Sequence, residues 1–292
     1  VDTSARALRD RLRGRLIAAA ATPMTAAGEV DPDVVARYLA GLVEDGAEGL
    51  AVLAHTGRGP FLTPDVRAAV IERGAALGVP VLVGVGGGDL ESAEDQARMA
   101  ARCGADGVLV FPQAGDRRAL HEAVWQAAHL PMIAFDLYTR PCPPPALREI
   151  LHHPGVAGLK TALLSDAMAC QRAIAYTREA GRLPITGEDR MFGPSLLWGA
   201  EAALVGIAAA HVDLTGAVMR AFRGTDLPAF REASARLDTL AEATFTEPME
   251  GYVQRMLWLA AAEGRIPDTH AHDPFAPPLP AGERDQVLKA VL

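Results

Sequence analysis

The sequence predicts an α/β chain folded as a (β/α)8 (TIM) barrel with a small C-terminal helical appendage, and three observations carry that expectation. Short apolar runs alternate with segments of helical period through eight units of about 25 residues each. A doubly wound dinucleotide fold would place G-x-G-x-x-G after its first strand, but Thr22-Pro23-Met24 stands there and the glycine cluster Gly84–Gly88 follows the third strand instead. The length of 292 residues suits one barrel of about 250 residues with an addition rather than two independent domains.

Taken in order, residues 1–15 hold five arginines (Arg6, Arg9, Arg11, Arg13, Arg15), an arginine content resembling that of a transit peptide. Asp2 and Asp10 interrupt them, serine is scarce and no apolar signal core follows, so a solvated lead-in helix is expected. Leu16–Ala21 reads as the first strand. Asp31–Asp45 reads as the first barrel helix, with Val34, Val35, Tyr38, Leu39, Leu42 and Val43 on one face and Asp31-Pro32 as N-cap and first turn. Further strands are expected at Gly49–Ala54, Val81–Val85, Gly107–Phe111, Pro131–Phe135, Val156–Lys160, Leu183–Thr186 and Ala202–Ile207. The helices between and after them are expected at about 64–77, 90–103, 117–128, 144–151, 165–180, 190–198 and 212–223. Several strands are entered through Gly-Val-Pro or Gly-Ala-Asp-Gly, as at Gly78-Val79-Pro80 and Gly104-Ala105-Asp106-Gly107. Helical runs near 226–243, 248–264 and 281–292 complete the chain. The division is therefore a lead-in (1–15), a barrel (16–224) and a C-terminal extension packed on it (225–292).

Composition narrows the function. Half the residues are hydrophobic and 22% are charged, which excludes disorder as the main state. A net charge of −8 without a basic tract argues against nucleic acid as a partner. The longest apolar stretches, such as Ala202–Ala210, fall well short of the roughly 18 residues that span a bilayer. Cys103, Cys142 and Cys170 fit neither a zinc spacing nor an even disulfide set, so reduced thiols in a cytoplasmic protein are expected, with no metal. Of the 28 basic residues only Lys160 and Lys289 are lysine. An arginine cannot replace lysine where a neutral amine must attack a carbonyl, because its guanidinium stays protonated. Lys289 lies three residues from the C-terminus and reads as a solvated side chain.

Barrel chemistry sits at the C-terminal ends of the strands. Thr22, His55-Thr56-Gly57-Arg58, Gly86-Gly87, Phe111-Pro112, Phe135 with Asp136 and Arg140, Lys160, Gly187-Glu188-Asp189 and Gly206 stand there in turn. Lys160 closes the apolar run Val156-Ala157-Gly158-Leu159, so desolvation would lower its pKa and favour Schiff-base chemistry. The competing reading is a structural ion pair with Glu188 or Asp189.

These residues, in this order, resemble the dihydrodipicolinate synthase and N-acetylneuraminate lyase family of class I, Schiff-base 2-oxo-acid aldolases, over residues from about 15 to 265. Thr22-Pro23-Met24 corresponds to the family's T-P-F/M and Ala54-His55-Thr56-Gly57-Arg58 to its G-T/S-T-G-E. Phe135-Asp136-Leu137-Tyr138-Thr139-Arg140 corresponds to Y-N-x-P-x-R, Gly158-Leu159-Lys160 to G-I/L-K, and Gly187-Glu188-Asp189 to G-x-D. The resemblance implies that Lys160 forms an imine with a pyruvate-like 2-oxo acid, with no cofactor. It implies that Thr56, with the backbone amides of Thr56 and Gly57, binds that acid's carboxylate, a nest that consecutive N–H groups at a glycine turn can form. Arg140 would reach the second substrate, Thr22, Phe135, Tyr138, Gly187 and Gly206 would line the site, and the assembly would be a homotetramer built from dimers.

The departures fall on the proton-handling positions. The family's relay tyrosine is Phe135, its first hydroxyl residue is His55, its glutamate is Arg58, and after Pro112 a tyrosine is replaced by Gln113-Ala114. Tyr138 could supply a phenol only with a shift of loop register. His55 is expected as the catalytic acid–base, since imidazole titrates near neutrality. The other seven histidines are expected to be solvated or capping. Three functions follow: a lyase performing aldol cleavage or dehydration on a 2-oxo acid, dihydrodipicolinate synthase proper, or a degenerate protein that only binds an oxo acid. Pyruvate with borohydride separates chemistry from mere binding.

Overall fold

Parallel strands covered on both faces must be apolar throughout, and the computed structural model of the chain builds eight such strands into a closed barrel. It describes residues 1–87 and 90–292, so the last glycine of the expected cluster, Gly88, lies outside the described residues. In chain order the elements are α1 (Thr3–Leu12), β1 (Leu16–Ala19), α2 (Pro32–Glu44), β2 (Gly49–Val52), α3 (Pro64–Ala75), β3 (Val81–Val85), α4 (Leu90–Arg102), β4 (Gly107–Val110), α5 (Arg117–Ala128) and β5 (Met132–Leu137). They continue with α6 (Pro144–Leu151), β6 (Val156–Ala162), α7 (Ala167–Glu179), β7 (Leu183–Thr186), α8 (Phe192–Leu197), β8 (Ala202–Val205) and α9 (Val212–Arg223), then α10 (Leu227–Thr244), α11 (Tyr252–Ala262) and α12 (Glu283–Val291). All strands run parallel, and Ile17 of β1 pairs with Gly49 of β2 on one side and Leu204 of β8 on the other, which closes the ring. The chain is therefore a (β/α)8 barrel with C-terminal helices.

The two-residue period of the strands sorts side chains into two cores. Ile17, Ala51, Leu82, Leu109, Ile133, Ala157, Leu183 and Leu204 fill the barrel interior. Leu16, Leu50, Val83, Val108 and Leu159 face the surrounding helices. The first helix forms as expected by its cap, with the Asp2 carboxylate accepting from Ser4 N–H at 2.8 Å. It is not a solvated helix, however. Ala5, Leu8 and Leu12 are buried and join the interior core, so α1 closes the barrel floor. Gly107 accommodates it: a Cβ there would lie 2.7 Å from Leu8 Cδ2. Arginines on the remaining faces made the helix look wholly polar in sequence.

Some strand ends also differ. β1 stops at Ala19, β5 runs on to Leu137, β6 passes Lys160 and ends at Ala162, and β8 gives way to a 3-10 turn at Gly206–Ala209. The longer pair has a direct cause: Phe135, Asp136 and Leu137 stay in register with Lys160, Thr161 and Ala162. An apolar-run criterion stops at polar Asp136 and Lys160, whereas backbone pairing does not. Two histidines expected on the surface, His121 and His153, are buried. Burial lowers the His121 pKa to about 4, and its Nδ1 lies 2.6 Å from the Arg117 carbonyl.

The C-terminal helices lie against the barrel end that carries the site. Val253, Met256, Leu257, Leu259 and Ala260 of α11 are fully buried. His270 O accepts from Met24 N–H at 3.0 Å, and Met24 O accepts from His272 N–H at 3.2 Å, pinning the segment after β1 to the extension. One side chain organises the turn between α10 and α11. Arg255, fully buried, donates to Glu283 Oε1 at 2.6 Å and to the carbonyls of Thr244, Thr246 and Pro248 at 3.0, 2.8 and 3.2 Å. Removing one partner of a buried pair leaves the other charge uncompensated, at a cost of about 3–5 kcal/mol. We expect Arg255→Ala to lower the unfolding free energy by about that amount, read from denaturant titration. Wild-type stability in this variant would remove Arg255 from its structural role.

Candidate active site

Lys160 sits within β6, between Phe135 on β5 and Ile185 on β7 in the register of the sheet, and its side chain is almost fully buried. It projects into a pocket at the C-terminal end of the barrel. His55, Thr56, Phe135, Tyr138, Asp189 and Tyr252 share that pocket, with Leu137, Ala162, Leu164, Gly206 and Phe245 completing its wall. Burial pushes the Lys160 amine below an ordinary lysine's pKa, against the opposing pull of Asp189 and Glu188. The Phe135 ring, 4.4 Å from Nζ, favours the ammonium by about 2 kcal/mol in a desolvated site. Desolvation of a buried ion costs several kcal/mol, so burial wins.

The two acids near the lysine are committed elsewhere. Glu188, wholly buried, accepts from Leu163 N–H at 2.9 Å and Leu164 N–H at 2.7 Å. Asp189 accepts from Ile207 N–H at 2.7 Å. Burial raises the pKa of both carboxyls. They act on Lys160 through space while fixing the backbone after β6 and β8. Gly187 is required beside them: a Cβ there would fall 2.4 Å from Lys160 Cε. Gly206 is equally constrained, since a Cβ would lie 3.0 Å from Thr56 Oγ1 and 3.1 Å from Tyr252 Cε2.

Opposite the lysine, the loop after β2 meets the extension. Thr56 Oγ1 and Tyr252 OH are 3.1 Å apart, and Tyr252 OH lies 3.2 Å from His55 Nδ1. The other imidazole nitrogen, Nε2, faces Glu250 Oε2 at 3.3 Å. The Tyr138 hydroxyl donates a short hydrogen bond to Glu250 Oε1. Arg58 donates to Glu250 Oε2 at 3.0 Å and, through Nε and Nη2, to Asp273 Oδ2 at 3.0 and 2.7 Å. Burial alone would raise the Glu250 pKa, but His55, the Tyr138 hydroxyl and Arg58 together hold it well below the carboxylate range. Burial raises the pKa of both Tyr138 and Tyr252, so both are neutral phenols.

The residues named from sequence separate into three groups. Lys160, His55, Thr56, Phe135, Tyr138 and Gly206 come together in the pocket, and Tyr138 reaches it directly after β5 with no shift of register. Thr22, Gly57 and Gly187 stand behind it. The Thr22 hydroxyl donates to Gly57 O at 2.7 Å, and a Cβ at Gly57 would lie 2.8 Å from Leu53 N. Arg140 does not join the site: it is exposed on the loop after β5 and lies outside the pocket wall. Its backbone is instead fixed by Arg117, which donates to Arg140 O at 2.6 Å. Sequence reasoning missed Glu250, Tyr252, Phe245 and Asp273. The chain has four tyrosines, two of which meet here, and that scarcity is the one signal that could have drawn attention to Tyr252. Among the described residues no cluster of three or more His, Cys, Asp or Glu could hold a metal ion.

Comparison with known proteins gives the family of the chain. The sequence model of the dihydrodipicolinate synthetase family matches residues 12–291. The 4-hydroxy-tetrahydrodipicolinate synthase of Mycolicibacterium paratuberculosis (strain ATCC BAA-968 / K-10) is 30% identical over 247 residues, 79% of each chain. That of Salinibacter ruber (strain DSM 13855 / M31) is 28% identical over 288 residues, 93% of this chain and 91% of its own. Two solved structures share the fold. YagE, a prophage protein from E. coli K12 in complex with pyruvate, superposes with a TM-score of 0.84 at 20% identity over 94% of this chain and 96% of its own. N-acetylneuraminate lyase from Mycoplasma synoviae gives 0.81 at 17% identity over 96% and 97%. The chain belongs to the dihydrodipicolinate synthetase family.

Proposed function

We propose that this protein is a Schiff-base lyase that acts on pyruvate or a related 2-oxo acid, by reversible aldol cleavage or by dehydration. The observation that carries the reading is the burial of Lys160 in a pocket, where desolvation favours its neutral, nucleophilic form. In the cleavage direction the amine attacks the C2 ketone and water leaves, giving a protonated imine. A base takes the proton of the C4 hydroxyl, the C3–C4 bond breaks, and its electron pair flows into the imine to leave an enamine. Protonation at C3 and hydrolysis by water release pyruvate and the free lysine. The backbone amides of Thr56 and Gly57 hold the acid's carboxylate, and His55 handles the proton. Gly206 leaves space beside Thr56 for the bound acid. The three cysteines are unpaired, which suits the reducing cytoplasm.

The condensing synthase is the second reading, favoured by the names of relatives near 30% identity. Phe135 has no hydroxyl, however, and Arg140, the candidate for a second substrate's carboxylate, is exposed away from the pocket. A partner aldehyde without a carboxylate suits this wall better. A panel of 2-oxo-3-deoxy sugar acids with pyruvate release monitored tests it, and rapid condensation of pyruvate with aspartate semialdehyde would return the synthase assignment.

Three outcomes are expected. Pyruvate and borohydride add one reduced pyruvate per chain at Lys160, at a rate that rises with pH and levels off well below the ordinary lysine value of 10.5, because the neutral amine is the reactive form. Mass labelling that persists in Lys160→Ala would sink the assignment. His55→Ala loses at least about 100-fold in turnover with trapping retained, whereas unchanged turnover would hand the proton to Tyr138 or water. The protein assembles as a homotetramer. Exposed Leu197 and Leu227 flank an apolar groove with Phe222 and Phe230, a surface suited to burial between copies. A light-scattering mass of 30.7 kDa would refute the assembly.

A further inference from the structure

The proton-handling side of the pocket is built by a segment outside the barrel, the turn that carries Glu250 and the first residue of α11, Tyr252. An ionised carboxylate can only accept hydrogen bonds, and Glu250, held ionised by its three partners, faces His55 Nε2 at 3.3 Å. In its neutral form the imidazole therefore carries its proton on Nε2 and presents the Nδ1 lone pair to Tyr252 OH, 3.2 Å away. The Tyr252 hydrogen is directed at Nδ1, so its oxygen is left to accept the Thr56 hydroxyl at 3.1 Å. Every polar atom in the chain has one consistent direction. This is the order of a nucleophile–base–orienter constellation, with a phenol at its pocket end.

We propose that Tyr252, His55 and Glu250 form a phenol–imidazole–carboxylate relay, aligned by Thr56, that carries the proton of the lyase reaction. The inference rests on the reading of Lys160 as the imine-forming lysine. In cleavage, the proton of the substrate's C4 hydroxyl passes to the Tyr252 oxygen as the Tyr252 proton passes to His55 Nδ1. The C4–O bond becomes a carbonyl, C3–C4 breaks, and the imine takes the electron pair. The resulting imidazolium is stabilised by Glu250. The same proton then returns through Tyr252 to C3 of the enamine, so the chain ends as it began and no further reactant is needed. Tyr252 is the group that touches substrate, and Glu250 is a positioning residue that fixes the tautomer of His55. Tyr252 stacks on Phe245 with ring centroids 4.7 Å apart, so Tyr252→Phe removes the hydroxyl and keeps the packing.

Exchange of the methyl protons of pyruvate for deuterium in D2O, followed by NMR beside borohydride trapping, tests the relay without knowledge of the aldehyde. The full-length wild-type chain is expected to trap and to exchange. Tyr252→Phe is expected to trap with the same half-saturating pyruvate but exchange at least about 100-fold more slowly. Glu250→Gln is expected to keep the half-saturating concentration while exchange falls at least about tenfold, and Glu250→Asp to recover part of it. Wild-type exchange in Tyr252→Phe overturns the relay, as does a wild-type chain that traps pyruvate without exchanging it. Loss of trapping in Tyr252→Phe would assign the residue to packing and overturn its role as proton carrier. A wild-type chain that fails to trap refutes the imine reading instead, so the two failures are told apart.

Discussion

Everything in the pocket follows from keeping one amine out of water. A solvated lysine is an ammonium and no nucleophile, and only the cost of a buried charge makes the neutral form accessible. The barrel supplies that burial cheaply, because a residue within β6 is enclosed by β5 and β7 and by the side chains above them. The acids that could reverse the effect, Glu188 and Asp189, accept from backbone N–H groups and act on the amine only through space. The glycines are the steric counterpart of the same constraint. Gly187 and Gly206 stand where a methyl group would strike Lys160 Cε or crowd Thr56 and Tyr252.

A second constraint comes from Arg58, which stands where the family pattern has glutamate. A buried guanidinium needs opposite charge, and the loop after β2 offers none. Glu250 and Asp273 provide it from positions 192 and 215 residues away. The reversal of charge thus ties the extension to the barrel mouth, and Arg255 shapes the turn that delivers Glu250. Arg58 and Arg255 share one logic, in which a planar fork collects several acceptors that a lysine could not reach together. The arginine bias of the composition is therefore structural at these two positions.

The fold was legible because parallel strands and amphipathic helices write their burial into local periodicity, and Val81–Val85 and Leu183–Thr186 were read to the residue. Lys160, His55 and Thr56 were legible because strand ends define the site before any contact is known. The floor helix was misread because Ala5, Leu8 and Leu12 are sparse among arginines. Arg140 was misplaced because a motif gives order along the chain but not the direction of a loop side chain. Glu250 and Tyr252 carried no local mark. Their meaning depends on His55 and Arg58 nearly 200 positions earlier, a pairing that no periodicity encodes.

The placement of those two residues separates tasks that an all-barrel site would combine. Lys160 and Thr56 are set by strands and their immediate loops, whereas Tyr252 and Glu250 belong to a turn and helix start whose geometry depends on Arg58 and Arg255. On the proposed mechanism, imine formation needs the first set alone. Proton transfer needs both, since reacting atoms misplaced by about 1 Å can cost a factor of about 100 in rate. Substitutions in the extension are therefore expected, on this mechanism, to act on the proton step and to leave the carbonyl step intact. On the proposed mechanism the electron sink belongs to the barrel, and the acid–base groups are completed by the extension that covers its mouth.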